Sequence, residues 1–148
     1  MSTDWFWEGN VVTAVAEDLR KRGWTIEGMA NTATREAGVD LHATRDGKVL
    51  LVEIKGYPSE FYMRGAKIGQ KKVTSPSTQA RHWYSEVLLS AILRKTKQPD
   101  ATVAIAFPEF DVFSNLVTRT ADALRKLDIG VFFVDESGMM RVLGKINL

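Results

Sequence analysis

The chain has 148 residues, a net charge of +2 and no cysteine. This length predicts one domain, residues 1–148, with a sizeable hydrophobic core. The lack of cysteine excludes disulfides, thiolate zinc sites and cysteine nucleophiles. The N-terminus does not resemble a signal peptide, and no apolar run is long enough to span a bilayer, so we expect a cytoplasmic protein without a membrane partner.

The first predicted element is an amphipathic helix that Thr3 or Asp4 caps and that ends at about Arg22, before Gly23. Glu8 lies on the predicted buried stripe of this helix, where an acid needs a partner. In one interpretation Glu8 reaches an acidic site elsewhere in the fold, and in the other it only complements the helix dipole. Apolar residues form the rest of the stripe: Trp5, Val12, Val15 and Leu19.

A strand is predicted over residues 24–30, and a polar connection over 31–37 leads to a hairpin over 38–56. The hairpin is predicted because the dipeptide Asp46-Gly47 is a strong signal for a two-residue turn. This turn fixes the register, so that Asp40 faces Glu53 across the strands. Two opposed acids destabilise an ordinary sheet, and a divalent cation held between their oxygens would remove the conflict.

Lys55 is predicted on the same face of its strand as Glu53, one pleat further along. A cation there could contact both a phosphate and an attacking water. The run 49–54 is almost wholly apolar, which is typical of a strand that is covered on one or both faces. The alternative is that Glu53 and Lys55 form only a solvated, ion-paired face.

Two segments of the hairpin, Gly38-Val39-Asp40 and Val52-Glu53-Ile54-Lys55-Gly56, resemble the bipartite motif of the PD-(D/E)XK nuclease superfamily. Many restriction endonucleases and Holliday junction resolvases belong to this superfamily. Val39 stands where the family name has proline, a departure that changes no ligand. The resemblance covers nearly the whole chain through the order of the predicted elements.

The resemblance implies a metal site formed by Asp40, Glu53 and the backbone carbonyl of Ile54, with Glu8 as a further ligand. The implied metal is Mg²⁺, for which Mn²⁺ can substitute. Lys55 would orient or help deprotonate the attacking water and stabilise charge on the phosphate. The implied reaction is hydrolysis of DNA that leaves a 5′-phosphate and a 3′-hydroxyl.

Residues 57–76 form a long predicted connection without clear periodicity, next to the proposed site. Its composition predicts contacts with a phosphate backbone and with bases, although a flexible solvated loop is the alternative. From 56 to 98 the chain has eight basic residues against two acidic ones. The predicted nucleic-acid contacts in this connection are Tyr57, Arg64, Lys67, Lys71 and Lys72.

A second helix is predicted from Ser77 as its cap to about Lys95. Gln79 lies in its first turn, where the superfamily that this chain resembles often has a glutamine that orients the metal-bound water or the phosphate. Arg81 is a candidate phosphate contact, with an ordinary exposed arginine as the alternative.

Four further elements are predicted: a strand over 101–107, a helix over 113–127, and strands over 129–134 and 139–146. The complete order, α-β-β-β-α-β-α-β-β, predicts an α/β fold with a mixed sheet that has helices on both faces. This is the restriction endonuclease-like arrangement that the resemblance implies.

The leading hypothesis is therefore a magnesium-dependent DNA endonuclease in repair, recombination or defence. On the resemblance alone we expect a homodimer, and target choice would come from the 57–76 connection, the dimer or a partner protein. One alternative is a non-cleaving nucleic-acid-binding subunit of a larger DNA-processing assembly. Another is a structural protein in which Asp40, Glu53 and Lys55 form only an ion-pair network, and binding of a divalent metal would separate this case from the others.

Overall fold

A computed structural model describes residues 5–30, 38–58 and 65–148. Arg64, and the connection predicted over 31–37, lie outside the described residues. The three helices are α1 (Glu8–Lys21), α2 (Pro76–Lys97) and α3 (Asp111–Leu127). The six strands are β1 (Thr25–Met29), β2 (Leu41–Arg45), β3 (Lys48–Ile54), β4 (Thr102–Pro108), β5 (Ile129–Val134) and β6 (Met140–Leu143).

The strands form one mixed sheet in the order β1-β2-β3-β4-β5-β6. The β1-β2, β2-β3 and β5-β6 pairs are antiparallel, whereas β3-β4 and β4-β5 are parallel. The order of elements and the mixed α/β architecture confirm the sequence-based prediction.

The predicted hairpin forms around Asp46 and Gly47, both of which have positive φ, 51° and 77°. This is the conformation that a type I′ turn requires. The register runs from Arg45 opposite Lys48 to Leu41 opposite Val52. Each of these pairs agrees with the predicted register, which places Glu53 opposite the position of Asp40.

Helices cover both faces of the sheet because the central strands are apolar on both faces. In β3, the alternate residues Leu50, Val52 and Ile54 join the core formed with α1, whereas Leu51 joins the core formed with α2 and α3. Glu53 follows Leu51 by two residues and therefore faces α2.

The predicted start of α1 is wrong. The helix begins at Glu8, with Trp7 as an N-cap that makes no side-chain capping bond, and Thr3 and Asp4, the predicted caps, lie outside the described residues. Trp5 lies outside the helix, where its ring stacks on Phe110 at a centroid distance of 5.4 Å. Trp5 therefore packs against the segment that leads into α3 and does not belong to the buried stripe of α1.

The predicted cap of α2 is also displaced. Ser75, and not Ser77, is the N-cap, since its side chain accepts a hydrogen bond from the Thr78 N–H. Pro76 occupies the first turn, a position that suits proline because its missing N–H has no helical partner there.

Candidate functional site

Glu53 is the single buried charged residue of the part of the chain that the structure describes, with 5% of its surface exposed. A buried carboxylate is costly unless partners satisfy it. Two side chains lie close to it. Arg94 of α2 donates from Nε to Glu53 Oε1 at 2.8 Å, and the Asp40 side chain lies close enough to Glu53 to influence its pKa.

Asp40 lies just before β2, where its position is fixed through both its backbone and its side chain. The Ala30 N–H donates to its carbonyl at 2.8 Å, and the Ile54 N–H donates to its Oδ2 at 2.7 Å. The Asp40 side chain therefore continues the hairpin beyond the last backbone pair. This contact brings the Asp40 carboxylate to Glu53, as the register predicts.

The pKa of Glu53 is raised from 4.5 to about 7. Burial is the largest cause, because the interior stabilises the charged form poorly. The Arg94 hydrogen bond opposes the increase, while the negative charge of Asp40 adds to it. Burial and the neighbouring Asp40 charge both disfavour the deprotonated form of Glu53, so a cation beside Glu53, either a proton or a metal, would relieve this cost.

Lys55 follows at the end of β3 and binds two acids at once. Its Nζ lies 3.8 Å from Glu8 Oε1 and 3.4 Å from Glu86 Oε1. The ammonium group also lies 5.8 Å from the ring centroid of Trp83. Glu86 and Trp83 both belong to α2, so Lys55 points toward the same helix as Glu53, in agreement with the predicted shared face.

Glu8 reaches Lys55 because the start of α1 contacts the end of β3. The Tyr57 N–H donates to the Phe6 carbonyl at 2.9 Å, and a Cβ on Gly56 would lie only 2.6 Å from the Glu8 nitrogen. Burial raises the pKa of Glu8, and Lys55 and a hydrogen bond from the Gly56 backbone lower it, while Asp40 and Glu86 raise it further. Glu8 thus senses the charge of Asp40, although its direct ionic partner is Lys55.

The geometry offers a small set of metal donors at this point. The Asp40 and Glu53 carboxylates are adjacent, and the Ile54 carbonyl points to the same edge of β3 as the Ile54 N–H that binds Asp40. These are the hard oxygen donors that Mg²⁺ prefers, so the residues fit such an ion. Within residues 5–30, 38–58 and 65–148, however, no group of three His, Cys, Asp or Glu side chains converges closely enough to hold a metal.

Gln79, in the first turn of α2, lies away from the acid pair. Gln79 accepts a hydrogen bond from Lys72 Nζ at 3.4 Å, while the acids and Lys55 contact Arg94 and Glu86 further along α2. Gln79 and Arg94 are fifteen residues apart, about 22 Å along a helix. Gln79 is therefore not among the residues that contact Glu53.

The predicted DNA contacts occupy several environments. Lys67, Lys71 and Arg81 are exposed, as binding to a phosphate backbone would require. Lys72 is half-buried beside Gln79. Their contacts with DNA stay predictions.

Tyr57 lies within an aromatic cluster that we define as Trp5, Phe6, Tyr57, Phe110 and Phe113. Its ring stacks on Phe110 at a centroid distance of 3.9 Å, and Phe110 in turn stacks on Trp5. Phe6 meets Tyr57 and Phe110 edge-on. One face of the Tyr57 ring is therefore occupied within the protein, and the cluster secures the residues that precede Glu8.

Sequence reasoning missed Arg94, Glu86 and Trp83 as parts of this site. Arg94 was one of several basic residues after β3, and nothing in the local sequence distinguished it. Only the packing of α2 on β3 selects it. A helical periodicity analysis could have placed Trp83 and Glu86 one turn apart but could not have identified Lys55 as their partner.

No helix among the described residues is both long and apolar enough to cross a membrane. Comparison with protein-family models gives no match, and comparison with curated proteins gives none either.

Two solved structures have a similar fold. One is an XisH family protein from Nostoc punctiforme PCC 73102, with a TM-score of 0.50 and 16% sequence identity. The other is an fdxN element excision controlling factor protein from Anabaena variabilis, with a TM-score of 0.51 and 16% identity. Each alignment covers 88% of this chain and 95% of the other chain. At this identity the likeness concerns the fold.

Proposed function

We propose that this protein is a metal-dependent DNA endonuclease of the PD-(D/E)XK type. The observation that carries the proposal is the buried Glu53 beside Asp40, with Lys55 next to them at the end of the same strand. Two neighbouring acids, one of them buried, add little to the stability of a fold, because burial is costly for a charge and like charges repel. The pair is explained if its function is to hold a cation.

Asp40, Glu53 and the Ile54 carbonyl would hold Mg²⁺, and Mn²⁺ can replace it. When bound, the ion supplies a water of lowered pKa and neutralises negative charge on the phosphate. The Asp40 side chain is already positioned for this task, since the Ile54 N–H fixes Oδ2. Glu8 acts through Lys55 rather than as a ligand, in keeping with its 3.8 Å contact to Nζ.

Lys55 is the group that would contact the reacting atoms. Its ion pairs with Glu8 and Glu86 hold Nζ at the end of β3. An ammonium group held there stabilises the additional negative charge of the phosphate during water attack. It also orients the water through a hydrogen bond donated from Nζ.

DNA is the proposed substrate for two reasons. Exposed basic side chains, Lys67, Lys71 and Arg81, follow the acidic site in the chain and provide a surface for a phosphate backbone. One protein of similar fold is an fdxN element excision controlling factor protein. A role in DNA recombination or excision, as a homodimer or with a targeting protein, is part of this proposal.

The second candidate is a subunit of a DNA-processing assembly that binds DNA without cutting it. The contacts that favour it are the ion pairs of Glu53 with Arg94 and of Lys55 with Glu8 and Glu86, which balance these charges without a metal. Metal binding and cleavage decide between the two candidates.

The test is cleavage of labelled linear, nicked, single-stranded and four-way-junction DNA with Mg²⁺ or Mn²⁺. The wild type is compared with Glu53→Gln and Lys55→Ala, and with Glu109→Gln as a matched control. Glu109 follows β4 and pairs with Arg141 on β6, so its substitution removes one carboxylate charge from a different ion pair. Binding of each DNA is measured for all variants in the presence of Ca²⁺.

Cleavage that requires the metal, is lost in Glu53→Gln and Lys55→Ala and persists in Glu109→Gln supports the nuclease. Salt-sensitive binding of one DNA without cleavage by the wild type would replace it with the binding subunit. Cleavage that survives in Glu53→Gln would place the chemistry elsewhere and refute the proposed site.

A further inference from the structure

Arg94 places a positive charge beside Glu53, where a metal-dependent site would hold its metal ion. Its Nε lies 2.8 Å from Glu53 Oε1, and the side chains are 27% and 7% exposed, respectively. The ion pair is thus largely shielded from solvent. Such a pair is only weakly screened by salt, so its electrostatic influence on the site is strong.

The carboxylate of Glu53 has limited room for partners. One oxygen accepts the Arg94 hydrogen bond, and the Asp40 side chain lies beside the same carboxylate. A metal held by both Glu53 and Asp40 would compete with the Arg94 guanidinium for the Glu53 carboxylate. A second positive charge a few ångströms from a divalent ion is also repulsive.

The backbone of Arg94 is held in place, so only its side chain would move if a metal replaced the guanidinium at Glu53. The Gln98 N–H donates to the Arg94 carbonyl at 2.8 Å, which closes the last turn of α2. The adjacent Lys95 secures the same turn through Asp128 at 3.6 Å and the Ala101 carbonyl at 3.3 Å. The guanidinium is carried by a long side chain and can leave Glu53 by rotation about its side-chain bonds while the helix stays fixed.

We propose that Arg94 is an internal counter-cation that a divalent metal displaces from Glu53. It stabilises the buried acid in the metal-free protein and, by the same contact, weakens metal binding. The inference rests on the proposed metal site. It assigns to Arg94 a positioning role, acting on Glu53 rather than on substrate, and makes metal loading a competition with an internal ion pair.

The first test is titration with Mn²⁺, followed by electron paramagnetic resonance, at about pH 8, above the pKa of Glu53. We expect Arg94→Gln to bind Mn²⁺ at least about tenfold more tightly than the wild type, because competition and repulsion are both removed. Lys95→Gln is the matched control, since it removes the same charge from the next residue, which binds Asp128. It should stay within about twofold of the wild type, because the Lys95 charge is paired with Asp128 and its removal leaves the contact between Arg94 and Glu53 in place.

The second test measures metal binding in the wild type and therefore does not depend on how Arg94→Gln folds. The Arg94 Nε–H signal is followed by nuclear magnetic resonance during titration with Mg²⁺. Its hydrogen bond to Glu53 should protect this proton from exchange with solvent, and Mg²⁺ should remove that protection in parallel with metal binding. Arg94→Lys assigns the signal by its absence.

Tighter Mn²⁺ binding in Arg94→Gln, together with loss of Nε–H protection, supports the inference. Equal Mn²⁺ affinity in Arg94→Gln and the wild type, or protection that persists when Mg²⁺ is bound, overturns it and leaves the proposed nuclease intact. If neither the wild type nor Arg94→Gln binds Mn²⁺, the metal site itself is overturned, and with it the proposed function.

Discussion

The backbone N–H of Ile54 donates to Oδ2 of Asp40 at 2.7 Å, so the side chain of Asp40 occupies a place in the β2-β3 pairing that a backbone carbonyl would ordinarily take. This single contact places Asp40 next to Glu53. It also gives Asp40 a structural role that can be separated from its charge.

Asp40→Ala should lower the free energy of unfolding by about 1–3 kcal/mol, because it leaves the Ile54 N–H without its acceptor. Asp40→Asn retains an oxygen acceptor and should lose less stability, although it removes the charge that a metal requires. Urea denaturation of both variants measures the difference. Equal losses in the two variants would show that the hydrogen bond to Ile54 contributes little.

Glu53 should make stability fall as the pH rises. Its pKa in the folded protein is about 7, against 4.5 as the ordinary value, so the folded state binds the proton more tightly than the unfolded state. The corresponding stability is complete below pH 4.5 and is lost as the pH rises through 7, by at most about 1.4 kcal/mol per pH unit. The glutamine of Glu53→Gln has no carboxyl group to titrate, so this variant lacks the pH-dependent contribution.

The measurement for Glu53 is denaturation of the wild type and Glu53→Gln, without metal, at a series of pH values. The stability of the wild type relative to Glu53→Gln should decrease between pH 4.5 and pH 7. A difference that stays constant with pH, or that increases, would contradict the raised pKa. Added Mg²⁺ should reduce the decrease, since the metal binds the deprotonated acid.

Gly56→Ala should disturb the contact between α1 and β3. The added Cβ would lie 2.6 Å from both the Glu8 nitrogen and the Phe6 carbonyl oxygen, which are backbone atoms and cannot rotate away. We expect a loss of about 1–3 kcal/mol in stability and reduced cleavage, because Glu8 would move away from Lys55. Gly28→Ala is the control, as its Cβ would meet no atom within 4 Å.

Denaturation and cleavage assays of both glycine variants provide the measurement. If Gly56→Ala matched Gly28→Ala in stability and activity, the close approach of α1 to β3 would have no role in positioning Glu8.

Phe110→Ala should loosen the segment before α1, because Phe110 lies between Trp5 and Tyr57 in the aromatic cluster. Phe110 is only half-buried, so we expect a loss of about 2 kcal/mol, less than for a buried phenylalanine. Phe110→Leu keeps most of the volume but not the stacking, and should lose less. Urea denaturation measures both, and equal losses would show that stacking adds nothing to volume.

Local sequence determined the hairpin and much of its chemistry. Asp46 and Gly47 fixed the turn, the turn fixed the register, and the register put Asp40 next to Glu53. These inferences succeed because a two-residue turn and the alternation of a strand depend on neighbouring residues alone. The order of the helices and strands followed from periodicity for the same reason.

Tertiary structure decided which residues complete the site. The chain offered many basic residues after β3, and only the packing of α2 on the sheet brought Arg94 to Glu53 and Glu86 to Lys55. Packing also places Trp5 on Phe110, outside the helix in which the sequence predicted it. Contacts between residues far apart in the chain depend on how whole elements dock, and a pattern read along one segment contains no measure of that docking.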